Sequence, residues 1–291
     1  MVYFSKITNG HLASTTNFDL PGRFGLDTTE RIPPLFHILP MPVTQQILGL
    51  RFFDGDVDEA IEFMFRQGGF VVAPSGTCFA RLRRDASYRE AMTQADLAIP
   101  DSGAMVLLWR ILRGGKIERI SGLKYLQNLS ARFFADKTSG VFWVLPNEGA
   151  REKAARWLRA NQFPFAEVDV YIAPRYGGTV EDRELLAKID DRRPAHIVIG
   201  IGSGPQEKLG QFLRDHLSYR PAIHCLGAAL GFLTGDQIKI PGWADRFYLG
   251  WLLRLLAQPR IFIPRLTRAL ELPWLIIKYG EKLPPLEAGP L

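Results

Sequence analysis

The stretch most suggestive of chemistry is Ile197-Val-Ile-Gly-Ile-Gly-Ser-Gly-Pro-Gln-Glu-Lys208. Its apolar first half reads as a buried strand. Gly202 and Gly204 break that run, and Pro205 can open a helix because its missing N–H would be unpaired there anyway. A strand, a glycine turn and a helix start leave backbone N–H groups at a strand's carboxyl end, where open α/β sheets hold anionic ligands. Glycines alone also serve packing. Gln206, Glu207 and Lys208, however, put an amide, an acid and a base in the first helical turn, which a plain structural turn does not require.

Three further groups have suitable types and positions. Asp101, in Ile99-Pro-Asp-Ser-Gly103, ends a strand and precedes a glycine-containing turn. A carboxylate there could take the proton of an attacking hydroxyl. Capping of the next helix by Asp101 or Ser102 is the commoner role for such residues. Arg119 follows the loop Gly114-Gly-Lys-Ile-Glu118 and could clamp a phosphate with two parallel hydrogen bonds; an ordinary surface arginine is the plain alternative. Ser75 and Thr77, in Ala73-Pro-Ser-Gly-Thr77, could contact a sugar or phosphate, or form a turn with a helix cap at Ser75. Tyr176-Gly-Gly178 is open in the same way.

The elements that must position these groups alternate. Strands are expected at Phe70–Ala73, Asp96–Pro100, Val141–Leu145, Glu167–Ile172, Ile197 onward and Ala222–Leu226. Helices are expected at Asp56–Gly68, Arg81–Thr93, Ser102–Arg113, Tyr125–Ala135, Glu148–Ala160, Val180–Ile189 and from Pro205 to His216. Such alternation predicts an α/β fold: a Rossmann-like, mostly parallel sheet of about six strands, helices on both faces and right-handed crossovers. Residues 1–46 lack periodicity and read as an irregular leader. Residues 47–242 form the α/β domain. Residues 243–291 read as a C-terminal appendage of two or three amphipathic helices, broken at Pro259 and Pro273, with a proline-rich tail.

Composition narrows the function. The 291 residues are 47% hydrophobic and 23% charged, with net charge +6. Cys78 and Cys225 stand far apart, with no Cys or His at metal-ligand spacing, so a reducing compartment and no zinc site are expected. No signal peptide or membrane span is visible. The basic balance concentrates near the C-terminus, where Arg246, Arg254, Arg260, Arg265, Arg268 and Lys278 interleave with Trp243, Trp251 and Trp274. Arginine with tryptophan on amphipathic helices suits a membrane interface. Packing of the apolar stripe on the core, with solvated arginines, is the plainer alternative. Nucleic acid is disfavoured, because the arginines fall among apolar anchors.

Taken in order, several motifs resemble the WecG/TagA/CpsF glycosyltransferases (glycosyltransferase family twenty-six). They are Ala95-Asp-Leu-Ala-Ile-Pro-Asp-Ser-Gly103, Glu118-Arg-Ile-Ser-Gly122, Gly204-Pro-Gln-Glu-Lys208, Phe232-Leu-Thr-Gly235, Pro241-Gly-Trp243 and Leu249–Arg260. The resemblance spans roughly 47 to 268. It implies an inverting, metal-independent enzyme that needs no cofactor. Such an enzyme moves a sugar from a nucleotide-sugar donor to a polyprenyl-diphosphate-linked sugar in envelope polysaccharide synthesis. It implies a cytoplasmic protein, peripheral on the inner face of the plasma membrane, with homo-oligomers compatible. Carried over by motif, Asp101 is the base, Arg119 and Gln206 bind substrate, and Arg254 and Arg260 meet the lipid diphosphate. Ser75, Thr77, Gly202 and Lys208 are the remaining candidate substrate contacts.

The chain departs from the family at Ala73-Pro-Ser75 for Thr-Pro-Asn, and at Asp101-Ser-Gly-Ala104, Gly122-Leu-Lys124 and Leu230-Gly-Phe232. Two readings follow: a divergent active enzyme, or a degenerate member that binds a nucleotide sugar or lipid intermediate for a partner enzyme. Retention of Asp101, Arg119 and Gln206 favours the first.

Overall fold

A computed structural model describes residues 43–136, 140–164, 166–227, 229–233, 256 and 269–287. Its centre is one eight-stranded sheet of order β1-β2-β4-β3-β8-β7-β5-β6. The strands are β1 (Thr44–Ile47), β2 (Leu50–Phe53), β3 (Gly69–Val72), β4 (Leu97–Ala98), β5 (Val141–Leu145), β6 (Val170–Ile172), β7 (His196–Ile199) and β8 (Ala222–Cys225). All neighbours pair in parallel except β1 with β2. The expected α/β fold is therefore present, with a two-strand hairpin added at one edge.

Helices cover both faces. α1 (Val57–Gln67), α4 (Gly122–Ala135), α5 (Glu148–Ala160) and α8 (Ala229–Leu233) pack into one apolar cluster. A 3-10 helix (Gly76–Arg83), α2 (Ala86–Thr93), α3 (Gly103–Arg113), α6 (Arg183–Arg192), α7 (Pro205–His216) and α9 (Glu271–Tyr279) pack into the other. Strand residues divide by alternation: Phe142, Val144, Ile197 and Ile199 face the second cluster, and Trp143 and Val198 the first. Connections toward β6 carry α1 and α5 on one face, while those returning carry α2, α6 and α7 on the other. A single crossover hand imposes this arrangement.

Several boundaries differ from expectation. The helix expected over Arg81–Thr93 is a 3-10 helix and α2, separated where the Asp85 carboxylate accepts the Tyr88 amide. α6 begins at Arg183 because Asp182 caps it and also accepts hydrogen bonds from the Tyr171 and Tyr176 hydroxyls. Near Pro273 the helical residue Ala269 is followed by a turn at Leu270 before α9 starts, as expected of a break there. Pro273 itself lies in the first turn of α9, where proline costs no intrahelical bond.

The described C-terminal residues are tied to the domain. Leu272, Leu275 and Ile276 are fully buried. Arg84 bridges Glu271 and Glu287. The Leu48 and Gly49 amides donate to the Gly280 and Glu281 carbonyls, each at 2.8 Å. Residues 1–42 and most of 234–268, including Arg254, Arg260, Trp243 and the Phe232–Gly235 motif beyond Leu233, lie outside the described residues.

From the first residue of β7 to the third of β8 a polar chain crosses the core. The Tyr125 hydroxyl lies 3.2 Å from His224 Nδ1, and His224 Nε2 lies 3.3 Å from His196 Nδ1. Both imidazoles are almost completely buried. Burial holds both in the neutral form. His196 is depressed to about 4, with Arg132 adding to the effect and Asp136 opposing it, and His224 falls well below its ordinary value. Because these folded-state values lie below the unfolded ones, only the unfolded chain takes up the protons as pH falls from about 6.5 toward 4. Stability is thus expected to drop over that window, with His196 alone accounting for on the order of 3 kcal/mol. Urea unfolding of wild type and His196→Phe across that range checks this. An unchanged slope in the variant would overturn it.

Candidate active site

The loops after four adjacent strands, β4, β3, β8 and β7, carry most of the candidate residues. At about 4.8 Å per strand spacing, the crevice from β4 to β7 spans roughly 14 Å. This is the carboxyl edge of a parallel sheet, where helices and strands leave backbone groups for ligands.

Asp101 lies just beyond β4. The sequence left open whether it caps α3, and the structure gives that task to Ser102, whose Oγ accepts the Met105 amide at 3.2 Å. The Asp101 carboxylate instead turns to the start of α4: its Oδ1 accepts the Gly122 amide at 2.8 Å. A carboxylate sits favourably at a helix N-terminus. Arg119 arrives from the loop between α3 and α4, and its Nε donates to the Asp101 carbonyl at 2.9 Å. Both residues are only partly buried. Gly122 is hemmed by Asp101, Ala73 and Ala229, each within 4 Å of where a Cβ would stand. Ala73, just after β3, and Ala229, at the start of α8, therefore close around the same glycine that the carboxylate holds.

The loop after β3 joins the loop after β7. Ser75 precedes the 3-10 helix without capping it. Its Oγ lies 3.3 Å from Thr77 Oγ1 and 3.2 Å from Cys78 Sγ, and that sulfur lies 3.1 Å from Ser203 Oγ. Arg81 donates to the Ser203 carbonyl at 3.0 Å and rests over the Tyr88 ring. Gly204 must be glycine: its φ is +108°, and a Cβ would meet the Arg81 guanidinium at 2.0 Å. Gly202, at φ +96°, has open space on its side-chain side.

Gln206 and Glu207 are buried in the first turn of α7. Glu207 Oε2 accepts the Gly204 amide at 2.5 Å, and Oε1 accepts Gln206 Nε2 at 3.1 Å. Burial pushes the Glu207 carboxyl up, while the Gly204 amide, Gln206 and Ser203 pull the other way. Gln206 Oε1 has no partner among the described residues and lies against Gly227, after β8. Gln206 was legible as a candidate. Glu207 was legible only as an acid in a first helical turn, because the usual capping signal needs Ser or Thr where this chain has Gly204.

Lys208 has a different setting. Its ammonium is 2.8 Å from Asp85 and 2.8 Å from the Gly178 carbonyl, with its side chain 10% exposed. Burial would raise the Asp85 carboxyl, but Lys208, the Tyr88 amide and Ser87 together bring it below its usual value. Lys208 therefore ties α7 to the start of α2. Lys208→Met is expected to cost about 1–3 kcal/mol by stranding Asp85, read by urea unfolding. A raised donor KM without lost stability would instead return Lys208 to the donor site.

A groove of about 310 Å³ opens on α5, lined by Arg151, Glu152, Ala155, Arg156, Arg159 and Glu167. It contains none of the residues above. Its charges are partly paired, with Arg151 bridging Glu148 and Glu167.

The match to known proteins runs through the whole of this scaffold. The model of the glycosyl transferase WecG/TagA/CpsF family matches residues 45–285, from the edge hairpin to the C-terminal strap. The chain belongs to the WecG/TagA/CpsF family. It is a glycosyltransferase. Among similar proteins is the N-acetylglucosaminyldiphosphoundecaprenol N-acetyl-beta-D-mannosaminyltransferase of Bacillus spizizenii, 24% identical over 237 residues, covering 79% of this chain and 88% of the relative. The enzyme of the same name from Bacillus subtilis strain 168 is 25% identical over 180 residues, covering 60% of this chain and 66% of the relative. Against this family, Ala73 contributes a methyl group beside Gly122 where the resemblance leads one to expect a threonine hydroxyl.

Proposed function

We propose that the chain transfers a sugar, with inversion, from a nucleotide-sugar donor to a polyprenyl-diphosphate-linked sugar. The transfer takes place at the inner face of the plasma membrane. Asp101 is the base that takes the acceptor hydroxyl's proton as that oxygen attacks the anomeric carbon. The leaving diphosphate gains negative charge, which Arg119 and the amides at the start of α7 stabilise. Gln206, held by Glu207, fixes the donor, with Ser75, Thr77 and Gly202 beside it.

The observation that carries this reading is the place of the Asp101 carboxylate at the carboxyl edge of the sheet, turned away from α3. Ser102 caps α3, and the Asp101 carboxylate stands at the crevice beside Arg119. The named relatives support the substrate class: their names specify a diphosphoundecaprenol-linked N-acetylglucosamine acceptor and N-acetylmannosamine transfer.

No described helix is long and apolar enough to cross a membrane, which agrees with peripheral attachment. α9 supports attachment through the C-terminal region. Its Trp274 and Ile277, with Leu270 just before it, are exposed, and the Lys278 ammonium lies over the Trp274 ring. Arg254 and Arg260 complete the proposed diphosphate contacts.

The test is transfer by purified protein from a panel of nucleotide sugars to a polyprenyl-diphosphate-linked N-acetylglucosamine. N-acetylmannosamine donors come first, with and without EDTA. Turnover that survives EDTA is expected. A protein that binds donor tightly yet turns over none of the panel would favour the degenerate binding role, which Ala73 in place of the family's threonine motivates.

A further inference from the structure

The geometry points to the outer face of α3 as a surface that seats this enzyme on an anionic lipid bilayer. α3 is apolar nearly all round. Met105, Val106 and Trp109 are buried against the domain. On the far side Leu107 is 45% exposed and Ile111, one turn later, 68%, with Leu112 at 37% beside them. Ala104, a turn before Leu107, is exposed as well. A helix with apolar residues on both faces needs a second apolar environment.

The charges around this stripe indicate which environment. Residues 103–119 carry Arg110, Arg113, Lys116 and Arg119 against Glu118 alone. Arg113 is engaged with the Ile276 and Ile277 carbonyls of α9, whereas Arg110 and Lys116 are exposed. An apolar stripe edged by cations and lacking acids on the helix matches the boundary between acyl chains and anionic headgroups.

A second copy of this chain fits less well. Stable dimers bury about 800 Å² on each partner, and a stripe of four side chains on a three-turn helix falls short of that. Shallow insertion of one stripe into a bilayer has no such requirement.

Position gives the surface its purpose. α3 starts two residues after Asp101. At about 1.5 Å per residue, Ile111 lies roughly 15 Å further along the chain's path. Bilayer contact along α3 therefore keeps the catalytic crevice within reach of a sugar held by a membrane-embedded lipid. This purpose rests on the proposed acceptor; the bilayer contact itself does not.

The test is flotation of the full chain with vesicles of phosphatidylglycerol and phosphatidylcholine, compared with phosphatidylcholine alone. Leu107→Ser with Ile111→Ser is expected to weaken binding to the anionic vesicles by about tenfold or more, with the melting temperature unchanged because both side chains are already exposed. Arg110→Ala with Lys116→Ala should weaken binding at low salt and much less at high salt. The ratio of transfer rates on vesicle-embedded against short-chain soluble acceptor should fall by a similar factor in the serine variant. Undiminished vesicle binding by the serine variant would overturn the proposal. So would a wild-type dimer that the same substitutions turn monomeric while vesicle binding persists. If neither acceptor is used by wild type, the proposed reaction fails and the flotation result still stands on its own.

Discussion

Asp101→Asn is expected to slow sugar transfer by about a hundred- to ten-thousand-fold, the range for loss of a positioned general base, while the fold survives. The second half of that expectation follows from the contacts. Ser102, not Asp101, caps α3. The carbonyl of Asp101, which accepts from Arg119, is a backbone group that the substitution leaves in place. The carboxylate accepts the Gly122 amide at 2.8 Å, and an asparagine oxygen can accept the same bond. What asparagine lacks is the ability to take a proton. The decisive measurement pairs kcat on a lipid-linked acceptor with a thermal melt. A near-normal kcat in a folded variant would remove Asp101 from the chemistry. A large fall in the melting temperature would mean that the carboxylate is structural.

Glu207→Ala is expected to cost about 2–3 kcal/mol of stability and to raise the donor KM more than it lowers kcat. Two donors lose an acceptor at once: the Gly204 amide, and the Gln206 carboxamide, which keeps only the Cys225 carbonyl at 3.5 Å. A buried donor left unpaired costs about 1–3 kcal/mol. Gly204, at a positive φ that glycine adopts readily, carries the turn between β7 and α7, and Glu207 ties that turn to the helix. Release of that turn also frees Gln206 to leave its place against Gly227. Glu207→Gln separates the two effects. Its carbonyl oxygen can keep the Gly204 amide, but its own NH2 then faces the NH2 of Gln206. Most of the stability should therefore return while the donor KM stays high. Recovery of both together would make Glu207 a packing residue with no part in positioning Gln206.

The sequence by itself determined the α/β alternation, because a buried parallel strand reads as an unbroken apolar run and its covering helix as a 3.6-residue period. It determined the crevice as well: Asp101, Ser75 and Gln206 each follow a strand, and the carboxyl edge of a parallel sheet brings such positions to one side. It also offered the family, through motifs whose order the match over 45–285 bears out.

Tertiary structure decided what local pattern could not. The β1–β2 hairpin turns through Leu48 and Gly49, at φ +50° and +79°. Leucine is a poor signal for such a turn, and the turn is held by Gly280 and Glu281, more than two hundred residues away. Which of Asp101 and Ser102 caps α3 depends on where the start of α4 lies. Whether Lys208 meets a ligand or Asp85 depends on how α7 packs beside α2. Glu207 gained its importance only when burial took away the water that would otherwise have satisfied Gly204 and Gln206. In each case the type and spacing of residues permitted two outcomes, and a contact between segments remote in sequence selected one.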